Sequence, residues 1–172
     1  MNAVNDDFYA LADERGRNWE AVLVRLLASP RTRAELRRRL RERGCPCDET
    51  EGLLNRYEEA GLIDDSAYAE LYIDSKRDFG VRRLRDELRA RGVDHADIED
   101  ALERCGVDET ERACALAERW RRLPGMTREK LLDRLRRRGF GGPALRDVSS
   151  LLDDYEREEA EAAEESTEND TF

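Results

Sequence analysis

Apolar positions recur along this chain at helical spacing, and three of the runs close on the same pattern of two leucines and a glycine. They are Leu36, Leu40, Gly44; Leu84, Leu88, Gly92; and Leu131, Leu135, Gly139. The first leucines stand 48 and 47 residues apart, so the chain is a tandem array. In each copy the leucines lie one helical turn apart on one face, and the glycine can take the left-handed conformation that ends a helix. Self-similarity at such a period marks a stacked helical array, in which each unit buries its apolar face against its neighbours.

The segments between these markers are helical too, and no stretch alternates like a strand for more than a few residues. Trp19, Val22, Leu23, Leu26 and Leu27 stripe a first helix that stops at Ser29-Pro30, where proline favours a break and a new start. After Gly44, residues 48–60 offer Leu53, Leu54 and Tyr57 and close at Gly61. A second unit follows, with Tyr68, Leu71, Tyr72 and Ser75 on one helix and Ile98, Ala101 and Leu102 behind Gly92. Leu102 stands ten residues past its glycine, as Leu54 does past Gly44. A third unit runs through Ala113, Leu116 and Trp120, turns at Leu123-Pro124-Gly125, and ends with Leu145, Val148 and Leu152. The pattern therefore predicts an all-α chain of three tandem three-helix repeats, over 17–64, 65–107 and 108–155, forming an elongated, curved array. Between the first two repeats, Gly61 closes a helix, Asp64 caps the next, and Ile63 packs on Tyr68 as a hydrophobic staple.

Charge changes this picture at the two ends. The formal net charge is −10, but residues 153–172 hold ten acids against one arginine, and residues 1–16 hold four against one. The intervening body, with 29 basic and 27 acidic residues, is nearly neutral. The first 16 residues read as an acidic extension and 156–172 as an acidic, disordered tail, because the tail has nothing to bury. No apolar run approaches the roughly 20 residues of a membrane span, and acids stand where a signal peptide would carry positive charge. A cytoplasmic monomer is the expectation.

Catalytic and metal chemistry finds little footing. The four cysteines, Cys45, Cys47, Cys105 and Cys114, offer only one short pair, and the sole histidine, His95, sits at a helix start. That set has no paired zinc spacing, so no metal is assigned. The glycines at 139, 141 and 142 follow a helix rather than a strand and lack the Lys-Ser/Thr of a phosphate loop. No cofactor and no enzymatic activity are expected.

Arginine on equivalent helix faces is the remaining signal. At 100° per residue, positions one and five beyond the first leucine both lie beside the core stripe, at about 100° and 140° from it. They carry Arg37 and Arg41 in the first repeat, Arg85 and Arg89 in the second, and Leu132 and Arg136 in the third. Arg37, Arg41, Arg85, Arg89 and Arg136 are the candidate binding residues. The arginine before each glycine (Arg43, Arg91, Arg138) points nearer the core, where its stem packs and its charge suits the helix C-terminus.

Taken in order and spacing, the Leu-x3-Leu-x3-Gly helices, Gly61-Leu62-Ile63-Asp64-Asp65 with Tyr68-Ala69, Gly92-Val93 with Ile98 and Ala101-Leu102, and Arg138-Gly139-Phe140 resemble the RecX family. The resemblance spans about residues 19–152. It implies a bacterial regulator that binds in the groove of the RecA filament on DNA and inhibits its growth and its recombinase and ATPase activities. DNA phosphate contacts within the filament are compatible with the arginine faces. An autonomous DNA-binding repeat protein and a helical adaptor for another protein stay open as alternatives. The acidic extensions lie outside the shared pattern.

Overall fold

The computed structural model describes residues 18–169, so the acidic extension over residues 1–16 lies outside the described residues. Nine helices and no strands make up the described part: α1 Trp19–Leu26, α2 Arg33–Glu42, α3 Cys47–Glu59, α4 Asp65–Ser75, α5 Val81–Ala90, α6 His95–Arg104, α7 Glu109–Arg121, α8 Arg128–Arg137 and α9 Gly142–Asn169. Local sequence explains their starts. Asn18, Thr32, Asp94, Asp108 and Thr127 each accept a backbone N–H of the first turn through the side chain, and Asp64 accepts the Ala67 N–H at 2.9 Å. Each such cap satisfies a donor that the helix itself cannot.

The described residues form two compact units, one of residues 18–74 with 87–105 and the other of residues 75–86 with 106–169. In the first, α1 packs on α2 and α2 on α3. Its core joins Trp19, Leu23, Leu36, Leu40, Leu54 and Ile63, all buried. The second repeats that plan with α7, α8 and α9, around Leu116, Trp120, Leu131, Leu135, Phe140 and Val148. Leu36 and Leu131 are the same repeat position, as are Leu40 and Leu135, and all four are 0–1% exposed. Burying each is worth about 1.5–3 kcal/mol, which makes this leucine pair a main fixed point of each unit.

The same set of ties recurs inside both units. In the first, the Thr32 hydroxyl donates to the Arg91 carbonyl at 2.6 Å, and the Asp65 carboxylate accepts the Arg33 N–H at 2.7 Å. In the second, the Gly80 N–H donates to the Arg138 carbonyl at 2.8 Å, and the Glu109 carboxylate accepts the Val81 N–H at 2.8 Å. Thr32 and Gly80 both stand four residues before the first leucine of their marker, and Arg33 and Val81 three before it. A helix N-terminus in one repeat is thus satisfied by the following repeat, at its first-helix carboxylate and at the carbonyl beside its closing glycine. Gly92 and Gly139, at φ +82° and +85°, do more than end helices. A Cβ on Gly92 would collide with the Ala34 side chain, and one on Gly139 with Arg83.

The last helix corrects one expectation. Instead of a disordered tail beyond Tyr155, α9 runs on to Asn169. Once the packed portion has nucleated it, extension through an alanine- and glutamate-rich sequence costs little, because both residues favour helix and each added residue gains a backbone hydrogen bond.

Candidate partner-binding surface

The five candidate arginines fall into two sets. Arg41, Arg89 and Arg136, all five positions past a first leucine, are exposed. Arg136 reaches Asp133 at 2.6 Å within its own helix. That pair is more than half exposed on both sides, so water screens it and it is readily exchanged for another anion. Arg37 and Arg85, one position past the leucine, are half-buried.

Arg37 is engaged within the fold. Its guanidinium forms a two-point pair with Glu51 of α3, Nε to Oε1 at 2.5 Å and the second nitrogen to Oε2 at 3.0 Å. Arg33 joins the same carboxylate at 3.0 Å and reaches Glu58 at 2.8 Å and Asn55 at 2.7 Å. The Arg37 hydrogen bond holds the Glu51 carboxyl below the usual glutamate range, with the Arg37 and Arg33 charges adding to it, and the same bond raises Arg37. This network clamps α2 on α3. The structure therefore separates a fold-facing position, Arg37, from the solvent-facing Arg41 four residues on.

Of the arginines before the glycines, Arg91 and Arg138 serve the fold. Arg91 lies over the Tyr72 ring at 4.9 Å and reaches Glu35 at 3.4 Å and Glu87 at 3.8 Å. Arg138 pairs with Asp78 and stands 5.1 Å from the Trp120 ring centroid. Arg43 departs from the expected place nearer the core: it is exposed, and it donates to the Arg39 carbonyl of its own helix at 2.8 Å.

Two groups of functional side chains escape a reading by periodicity alone. Asp65 and Glu109 look like ordinary first-turn acids, yet each caps another helix. The signal for them is their shared place as the first helical residue of a repeat. Arg121 and Arg128, flanking the α7–α8 turn, lie off the leucine register and bind acids of α9. His95 approaches Glu99 at 3.9 Å on the surface of α6. The four cysteines are free thiols. Among the described residues no group of three or more His, Cys, Asp or Glu could hold a metal ion, and no helix is long and apolar enough to cross a membrane.

An all-α chain of three-helix units, tied carboxylate to N-terminus and displaying arginine at a repeated helix position, is a helical-repeat protein whose assets are surfaces. Comparison with known proteins places it more narrowly. The family model for the second three-helix domain of RecX matches residues 64–102. The regulatory protein RecX of Streptomyces coelicolor is 37% identical over 145 residues, covering 78% of this chain and 77% of the relative. That of Mycolicibacterium vanbaalenii is 40% identical over 150 residues, covering 83% and 74%, and that of Thermobifida fusca 36% over 165, covering 88% and 84%. The crystal structure of RecX from Lactobacillus salivarius superposes with a TM-score of 0.68 at 26% identity, covering 78% of this chain and 94% of that one. A second RecX crystal structure gives 0.65 at 28% identity, covering 77% and 71%. The chain belongs to the RecX family.

Proposed function

We propose that this protein is a non-catalytic regulator that binds the RecA nucleoprotein filament and inhibits its growth and its recombinase and ATPase activities. The observation that carries the reading is membership, over about four fifths of the chain, in a family whose named members are regulatory proteins. The exposed Arg41, Arg89 and Arg136 supply the contacts, each a modest one made to acidic protein surface or DNA phosphate. Arg37 and Arg85 stand behind them, nearer the core. Affinity built from such contacts falls as salt rises, because each arginine exchanges a counterion or a weak internal partner for its ligand. The protein acts as a monomer in the cytoplasm, without cofactor or metal.

The nearly neutral body argues against strong autonomous DNA binding. The test is titration of the purified chain into RecA filaments on single-stranded DNA while ATP hydrolysis is followed, with binding to bare DNA measured at the same salt. Dose-dependent inhibition is expected at concentrations where bare DNA is mostly unbound. Unchanged hydrolysis, or inhibition that tracks bare-DNA occupancy, would contradict it.

A further inference from the structure

Arginines gather on both sides of the turn between α7 and α8, and acids of α9 lie against two of them. Arg119 and Arg122 are exposed there, with Arg121 and Arg128 half-buried. Arg121 pairs with Glu159 at 2.9 Å. Arg128 pairs with Asp153 and approaches Glu156 at 3.6 Å. Asp153, Glu156 and Glu159 are three residues apart, so they form a row of negative charge rising about 4.5 Å per member along one side of the helix. This row begins the acidic stretch that lies outside the repeat pattern.

We propose that Arg121 and Arg128 form a phosphate-binding site for single-stranded nucleic acid, and that the acidic stretch of α9 occupies it as an intramolecular competitor. Three features support this. A line of evenly spaced anions is the charge pattern of a phosphodiester strand, and the arginine fork suits phosphate oxygens as well as carboxylates. Arg121 also stacks on the Tyr155 ring at 4.0 Å, and Tyr155 is itself fixed by its hydroxyl on Glu118 at 3.0 Å. The guanidinium therefore keeps its place when Glu159 leaves. Finally, the competing acids are weakly held, since Glu159, Asp153 and Glu156 are 71, 59 and 64% exposed and such pairs contribute little in water. A tethered weak competitor suppresses binding to bare nucleic acid, yet yields to phosphates presented at high local concentration. This inference goes beyond the filament reading and needs no RecA.

The experiment measures fluorescence anisotropy of a labelled single-stranded oligonucleotide with the full chain. Three proteins are compared: wild type, a variant with Asp153→Asn, Glu156→Gln and Glu159→Gln, and a charge-matched variant with Glu59→Gln, Asp100→Asn and Glu103→Gln. At about 50 mM salt the α9 variant should bind roughly 5–10-fold tighter than wild type and the matched variant less than about 2-fold tighter, with a steeper salt dependence only in the α9 variant. Adding Arg121→Gln and Arg128→Gln should remove the gain. Equal affinity of the α9 and matched variants would overturn the proposal, as would a gain that persists without the two arginines. The salt slope serves the same purpose in an intact arginine background, should the combined variant fold poorly. Polyglutamate of equal charge should bind at least about 5-fold more weakly than the oligonucleotide, and equal binding would overturn the assignment to nucleic acid.

Discussion

Asp65 and Glu51 show how a carboxylate's surroundings set its role, and they respond to pH with opposite sign. Burial pushes the Asp65 carboxyl above the usual aspartate range; the Asp97 and Glu58 charges push the same way, and the Arg33 N–H only partly offsets them. Its folded pKa exceeds its unfolded one, so its contribution to stability is present below the unfolded value and is lost as pH rises through the folded one. Glu51, lowered by Arg37, contributes above the ordinary glutamate range and loses that contribution as pH falls through its depressed value. Asp65→Asn keeps an acceptor for the Arg33 N–H while removing a strained charge, so urea unfolding at pH 7 should find it at least as stable as wild type. Asp65→Ala should cost about 1 kcal/mol, the worth of a lost cap. Equal losses in both variants would show that the charge itself holds the helix end. Asp64→Ala, which removes the cap on α4, should likewise cost about 1 kcal/mol and leave inhibition of RecA intact. Asp64 was readable as a cap from its neighbours, whereas the partner of Asp65 lies 32 residues away in sequence and no local rule points to it.

Among the elements, the helices follow directly from leucine spacing, capping residues and closing glycines, and their ends fall within a few residues of those signals. The role of the glycines was only half legible. Gly44, Gly92 and Gly139 look alike in sequence and all have positive φ. Gly44 nonetheless has nothing within 4 Å of an added Cβ, while Gly92 and Gly139 abut Ala34 and Arg83. Gly44→Ala should therefore cost about 1 kcal/mol from backbone strain alone. Gly92→Ala and Gly139→Ala should cost about 1–3 kcal/mol more, because the ties at Thr32 and Gly80 must also shift. Denaturant melts of the three variants would measure this, and equal losses would mean that the close approach is not held tightly. The extension of α9 is not legible from apolar patterning, because this stretch has little to bury. A helix already nucleated needs only favourable propensity to continue.

For the whole molecule, the period of 48 and 47 residues made the repeat plan legible, and the order of motifs along it pointed to the family to which the chain belongs. Partner surfaces were less legible. Periodicity places Arg37 and Arg41 side by side on one helix flank, but it says nothing of Glu51 across the helix pair, which ties Arg37 into the fold and leaves Arg41 outside. Charge reversal at the solvent-facing positions therefore tests whether this surface engages the filament. A variant with Arg41→Glu and Arg89→Glu should keep the circular dichroism and melting temperature of wild type, since both side chains are exposed. Its inhibition of RecA ATP hydrolysis on single-stranded DNA should fall by about tenfold or more, as expected when repulsion replaces two charge contacts, and wild-type inhibition should weaken as salt rises. A folded variant that inhibits like wild type would contradict the account.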